Sequence, residues 1–141
     1  MVKNIIKMYT DGGSRGNPGN AAIGIVIYYD NNKKTYAEYI GKTTNNIAEY
    51  KAVIFGLKKI KQLIGKEQSL QTNIECFSDS ELLVNQLNGK YKIKDDDIKN
   101  LFIEIWNLKQ DFNQVSFHYI SRENNKESDF LVNKALDQNL F

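Results

Sequence analysis

Four acidic residues stand where the chain passes from one pattern to another. Asp11 follows the apolar run Ile5-Ile6-Lys7-Met8-Tyr9-Thr10 and precedes paired glycines. Glu49 comes just ahead of a long apolar stripe, Asp79 just after the run Asn73–Phe77, and Asp129 just ahead of the final stripe. Each has an ordinary reading. Asp11-Gly12 is good turn chemistry. Asn46 could cap a helix with Glu49 reaching back to its amide, and Ser78 and Glu81 could box the next helix. Asp79 and Asp129 could each favour the positive end of a helix. Taken together, however, the four acids would meet in an open α/β sheet, where sites gather at strand ends and neighbouring helix starts. Acids that converge repel one another unless cations sit between them. Carboxylate oxygens suit magnesium or manganese, and paired ions of that kind hydrolyse phosphodiesters.

The elements that must carry these acids are legible in the periodicity. Ile5–Thr10, Ala22–Tyr29 and Thr35–Ile40 read as three consecutive strands, the later pair joined by an Asp30-Asn31-Asn32 turn. Gly12 to Gly19, with the chain's only proline at Pro18, is the densest turn signal and is expected to end the first strand at Asp11. Tyr50, Val53, Ile54, Leu57, Ile60 and Ile64 then recur at helical spacing. Asn73–Phe77 and Val115–Ile120 complete the strands. Helices are expected at Leu82–Leu87, at the stripe Ile98 to Leu108, and at Phe130–Leu136. The order implies one α/β domain over residues 1–141, a mixed sheet of five strands with helices on both faces.

Composition narrows the classes. The 141 residues, 41% hydrophobic and 26% charged, fit one globular domain, and no apolar run is long enough for a membrane span. A single cysteine, Cys76, excludes an internal disulfide and points to the cytoplasm. The net charge of +2 neither demands nor excludes a nucleic-acid partner. Of the 19 basic residues only Arg15 and Arg122 are arginines, and both flank candidate metal ligands, a placement that hints at phosphate contact.

Four segments resemble type 1 ribonucleases H, in family order and across nearly the whole chain. They are Thr10-Asp11-Gly12-Gly13-Ser14-Arg15-Gly16-Asn17-Pro18-Gly19, Thr43-Thr44-Asn45-Asn46-Ile47-Ala48-Glu49-Tyr50, the run Ser78 to Leu87, and the run Arg122 to Ala135. The resemblance implies a ribonuclease H-like sheet whose first three strands are antiparallel. It implies Asp11, Glu49, Asp79 and Asp129 as ligands of two Mg²⁺ ions, with Mn²⁺ as a substitute. It also implies hydrolysis of the RNA strand of an RNA/DNA hybrid, with little sequence preference and with 5′-phosphate and 3′-hydroxyl products. Gly12, Asn17, Asn45, Asn46 and Ser80 are similar to residues that contact the hybrid, where short amides and hydroxyls can read a 2′-OH. Double-stranded RNA is a further candidate substrate, and a monomer is expected.

The chain departs from the family in two places. Many bacterial members carry a histidine in the loop before the last acid, whereas here Ser121–Ser128 has none and supplies Arg122 instead. The only histidine, His118, falls inside a strand, where a structural role is expected. Many members also insert a basic helical protrusion before the helix bearing Trp106; here only Asn88 to Asp97 intervenes. Lys90, Lys92 and Lys94 alternate with Tyr91 and Ile93, so an extended backbone would put the lysines on one side, as a small grip on phosphates or as a solvated edge. Asp95 to Asp97 is expected to cap the next helix, and Cys76 and Trp106 to pack. Rival readings are a non-catalytic duplex-binding module of the same fold, an actin-like phosphotransferase, and the ribonuclease domain of a reverse transcriptase. The first would miss a metal ligand and the second needs two such domains; a strand directly after Met1 favours a stand-alone protein over the third.

Overall fold

The computed structural model describes residues 4–139. Strands β1 (Asn4–Gly16), β2 (Gly19–Tyr29) and β3 (Asn32–Thr43) come first. They are followed by α1 (Asn45–Ile64), α2 (Lys66–Leu70), β4 (Thr72–Ser78), α3 (Glu81–Leu87), α4 (Asp96–Lys109), β5 (Gln114–Tyr119) and α5 (Lys126–Gln138). The sheet runs β3-β2-β1-β4-β5, antiparallel among the first three strands and parallel from β1 through β4 to β5. The expected mixed α/β architecture is the observed one.

Alternation sorts the sheet's two faces. In β1, Ile6, Met8 and Thr10 are buried while Ile5 and Lys7 are exposed. The buried side meets α1, whose Tyr50, Val53, Leu57 and Ile60 are fully enclosed with Ile25, Ile27 and Ile74 of the sheet. Helix α4 packs on α1, and α5 covers the opposite face over β2 and β3 through Ala22, Val132, Ala135 and Leu136. The β2–β3 turn holds Asp30 and Asn31 at φ 47° and 62°, the left-handed pair that a two-residue hairpin requires.

The structure departs from the sequence reading at the end of β1, at both suggested capping boxes, and at one helix and one tryptophan. The glycine-rich segment does not end β1. It continues as the arm of a hairpin with β2, paired from Asp11 with Gly24 to Gly16 with Gly19, because glycine is compatible with extended backbone as well as with turns. The α1 cap is Thr44, whose Oγ1 accepts from the Ile47 amide at 3.2 Å, and neither Asn46 nor Glu49 takes part. The α3 cap is Ser80, accepting from Leu83 N, while Ser78 Oγ accepts from the Ser80 amide. Helix α2, too short to show a stripe, was not foreseen. The expected Asp95 cap is present, its Oδ1 accepting from the Asp97 and Ile98 amides. Trp106 does not pack as expected; it is 54% exposed on α4.

Candidate active site

The sheet forks at the site. Parallel pairing of β1 with β4 stops at Thr10–Ser78, while β1 goes on with β2 alone. Asp11, mid-strand in β1, and Asp79, the first residue after β4, come directly after this last shared rung, and so meet one another. Glu49 enters from the first turns of α1 and Asp129 from the first turn of α5. Asp11, Glu49 and Asp79 each present a carboxylate oxygen within 4.8 Å of the others.

Two glycines permit these approaches. A Cβ on Gly12 would sit 2.3 Å from the Ala48 carbonyl carbon, so only glycine lets α1 come this close to β1. The Gly12 amide then donates to Glu49 Oε1 at 2.6 Å and to Asp11 Oδ1 at 3.0 Å. A Cβ on Gly24 would sit 2.3 Å from the Ser128 carbonyl oxygen, so β2 likewise admits the first turn of α5 and with it Asp129.

Burial and mutual repulsion dominate the electrostatics. Asp11 is pushed up to about 8, first by burial, then by the charges of Asp79 and Asp129. Glu49 is raised by burial and by the charge of Asp11. Asp79 is raised by burial, an effect that the Arg122 guanidinium opposes. Buried acids that resist ionisation together, with oxygens converging on one point, are the donor set and spacing that hard divalent cations relieve. The residues therefore fit the cations that the family resemblance implies.

The cleft around them, about 410 Å³, is lined also by Gly12, Arg15, Asn45, Ser80 and Arg122 among the residues singled out in the sequence. Asn17 and Asn46 do not line it. Asn17 Oδ1 accepts from the Asn45 amide at 2.9 Å, and Asn45 Oδ1 accepts from Ser14 N at 2.8 Å, so these two asparagines lash the β1–β2 turn to the start of α1. Asn46 Oδ1 is buried with no hydrogen-bond partner among the described residues. Arg15 is held by Asp137 at 2.7 Å. Lys90 and Lys92 lie outside the cleft on an exposed connection that forms no strand, anchored where Gln86 Nε2 donates to the Lys92 carbonyl at 3.4 Å. His118 lies on β5 as expected, stacked on Phe77 and 2.8 Å from Ser116 Oγ, and does not line the cleft. Sequence reasoning missed Ser14 and Asn133, which line the cleft, and Asn125, which is buried with its Nδ2 donating to the Thr10 carbonyl next to Asp11. Only the loop position of Asn125 beside Asp129 could have flagged it.

Comparison with known proteins agrees with this geometry. The family described as reverse transcriptase-like matches residues 9–135. The crystal structure of LC11-RNase H1 in complex with an RNA/DNA hybrid is 41% identical with a TM-score of 0.90, covering 96% of this chain and 99% of that one. RNase H1 from the halophilic archaeon Halobacterium salinarum is 34% identical with a TM-score of 0.86, over 95% and 98% of the two chains. A bifunctional protein of Mycobacterium tuberculosis is 35% identical over 130 residues, 90% of this chain; the chain spans about a third (34%) of that relative's length. Matched in fold, in family order of its motifs and over nearly its full length, the chain belongs to the reverse transcriptase-like family and, within it, to the type 1 ribonucleases H.

Proposed function

We propose that this domain is an endoribonuclease that hydrolyses the RNA strand of RNA/DNA hybrids. The observation that carries the reading is the meeting of Asp11, Glu49 and Asp79 within 4.8 Å, with Asp129 beside them, at the fork of the sheet. Two Mg²⁺ ions held by Asp11, Glu49, Asp79 and Asp129, with Mn²⁺ as a substitute, would supply an activated water and stabilise the leaving 3′ oxygen. The protein's own groups do the positioning. The Gly12 amide fixes Glu49 in place, and the fork sets Asp11 opposite Asp79.

Substrate contacts follow from the residues that line the cleft and their immediate neighbours. Asn45 and Ser80 stand at helix starts facing it, and Asn17 and Asn46 adjoin them. Their short polar side chains suit a 2′-OH, the group that tells RNA from DNA. Arg122 beside Asp79 can draw a phosphate in, but guanidinium stays protonated and cannot serve as a general base. Arg15 is a phosphate contact only if it leaves Asp137. Lys90 and Lys92 would touch substrate only at a distance from the scissile bond, on the DNA strand's phosphates. The relative solved with an RNA/DNA hybrid supports the substrate class.

The test is a panel of end-labelled substrates, namely RNA/DNA hybrid, double-stranded RNA, single-stranded RNA and duplex DNA, incubated with Mg²⁺. Internal cuts in the RNA strand of the hybrid, leaving 5′-phosphate and 3′-hydroxyl ends, are expected. Binding of the hybrid without cleavage would instead identify a non-catalytic module.

A further inference from the structure

We infer that Asn125 is a positioning residue that fixes the α5 carboxylate, Asp129, relative to Asp11 in the arrangement cations need. The inference rests on the metal-dependent reading above.

Asn125 sits in an exposed loop, between Arg122–Asn124 and Lys126, yet is only 2% exposed itself. Its Nδ2 donates to the Thr10 carbonyl at 2.9 Å, one residue before Asp11 and at the last rung that β1 shares with β4. Its Oδ1 accepts from Ser128 Oγ at 2.6 Å, one residue before Asp129. Its backbone carbonyl accepts from the Asp129 amide at 3.2 Å. One buried side chain thus ties the residues preceding two of the four acids.

The residue type matters. Asparagine at the start of a helix ordinarily caps it, accepting from a backbone amide one turn on. Asn125 occupies that position before α5 but makes no side-chain cap bond. Its carboxamide, with donors at one end and an acceptor at the other on a rigid plane, is turned inward instead. Donation to a backbone carbonyl fixes which end carries nitrogen. Alanine would break both ties, and aspartate would set oxygen against the Thr10 carbonyl.

The experiment compares wild-type protein with Asn125→Ala and Ser128→Ala. Mn²⁺ binding is measured by calorimetry without substrate, kcat and KM on an RNA/DNA hybrid at saturating Mn²⁺, and stability by urea unfolding. Asn125→Ala should weaken Mn²⁺ binding about 10–100-fold, the cost typical of losing a group that orients a metal ligand. Its kcat should fall while KM for hybrid changes by less than about twofold, because the substrate contacts remain. Ser128→Ala should show a smaller loss of the same kind. A folded Asn125→Ala with wild-type Mn²⁺ affinity and kcat, reduced in stability alone, overturns the inference. Should Asn125→Ala not fold, Ser128→Ala decides: unchanged Mn²⁺ affinity there overturns it equally. A wild-type protein that binds no Mn²⁺ refutes the metal reading itself, and this inference falls with it.

Discussion

Asp11 illustrates how much of the site's behaviour is set residue by residue. Its carboxyl is raised to about 8 in the folded protein without cations, against about 3.9 for an unperturbed aspartate. The metal-free fold therefore binds this proton more tightly than the unfolded chain does. The resulting stability is fully present below about pH 4 and is lost as pH rises through about 8. Urea unfolding of the metal-free protein should show a midpoint that falls across that window, and Mg²⁺ should restore it at the alkaline end. Asp11→Asn should flatten the profile and raise metal-free stability at pH 8.5, by an amount on the order of a few kcal/mol. A midpoint independent of pH in both proteins would contradict the account. The sequence exposed the four acids because their types and their places at element boundaries are local facts. It could not separate a capping acid from a converging one, as Glu49 shows. What distinguishes the two is the Gly12 amide, 37 positions away in the chain. Asn125 escaped notice for the same reason, since its partner Thr10 is 115 positions distant.

At the scale of elements, close packing of helices on glycines brings the acids together. Gly24→Ala would drive a Cβ into the Ser128 carbonyl oxygen, which is backbone and cannot swing aside. Helix α5 would have to retreat, carrying Asp129 with it. We expect a loss of about 1–3 kcal/mol and a fall in cleavage larger than the unfolded fraction explains. Gly13→Ala meets only Val132 Cγ1 at 3.5 Å, an ordinary contact, and should leave stability within about 0.5 kcal/mol of wild type. Equal effects at the two positions, read by urea unfolding, would remove the argument from close approach. Glycine's two uses, bending the chain and admitting a neighbour, look alike in a sequence. That ambiguity explains why the Gly12–Gly19 run read as a turn when most of it is the arm of a hairpin. Strand order and helix stripes were easier, because alternation and 3.6-residue spacing repeat within each segment.

Across the whole molecule, the substrate's grip is set by basic residues outside the cleft as well as by the cleft itself. Lys90, Lys92 and Lys94 are exposed on a short connection, apart from the acids. Replacing all three by alanine should raise KM for hybrid with kcat nearly unchanged, and should make the salt dependence of binding shallower by about 0.7–0.9 in log–log slope per lost phosphate contact. An unchanged KM and slope would mark them as solvated. The connection's conformation was illegible in advance because it has neither stripe nor strand partner; isolated bonds hold it, among them Gln86 Nε2 to the Lys92 carbonyl and the Lys90 amide to the Asn85 carbonyl. The central claim, that acids gathered at a fork of the sheet hold the ions that cut RNA, is tested most directly by single-turnover cleavage. An end-labelled RNA/DNA hybrid is mixed with excess wild-type protein or Asp79→Asn, in Mg²⁺ and in EDTA. Wild-type protein should cut the RNA strand in Mg²⁺ and not in EDTA, and folded Asp79→Asn should fall by at least a hundredfold at saturating Mg²⁺, about 2.7 kcal/mol of barrier. Near wild-type cleavage by Asp79→Asn, or cutting that persists in EDTA, would contradict it.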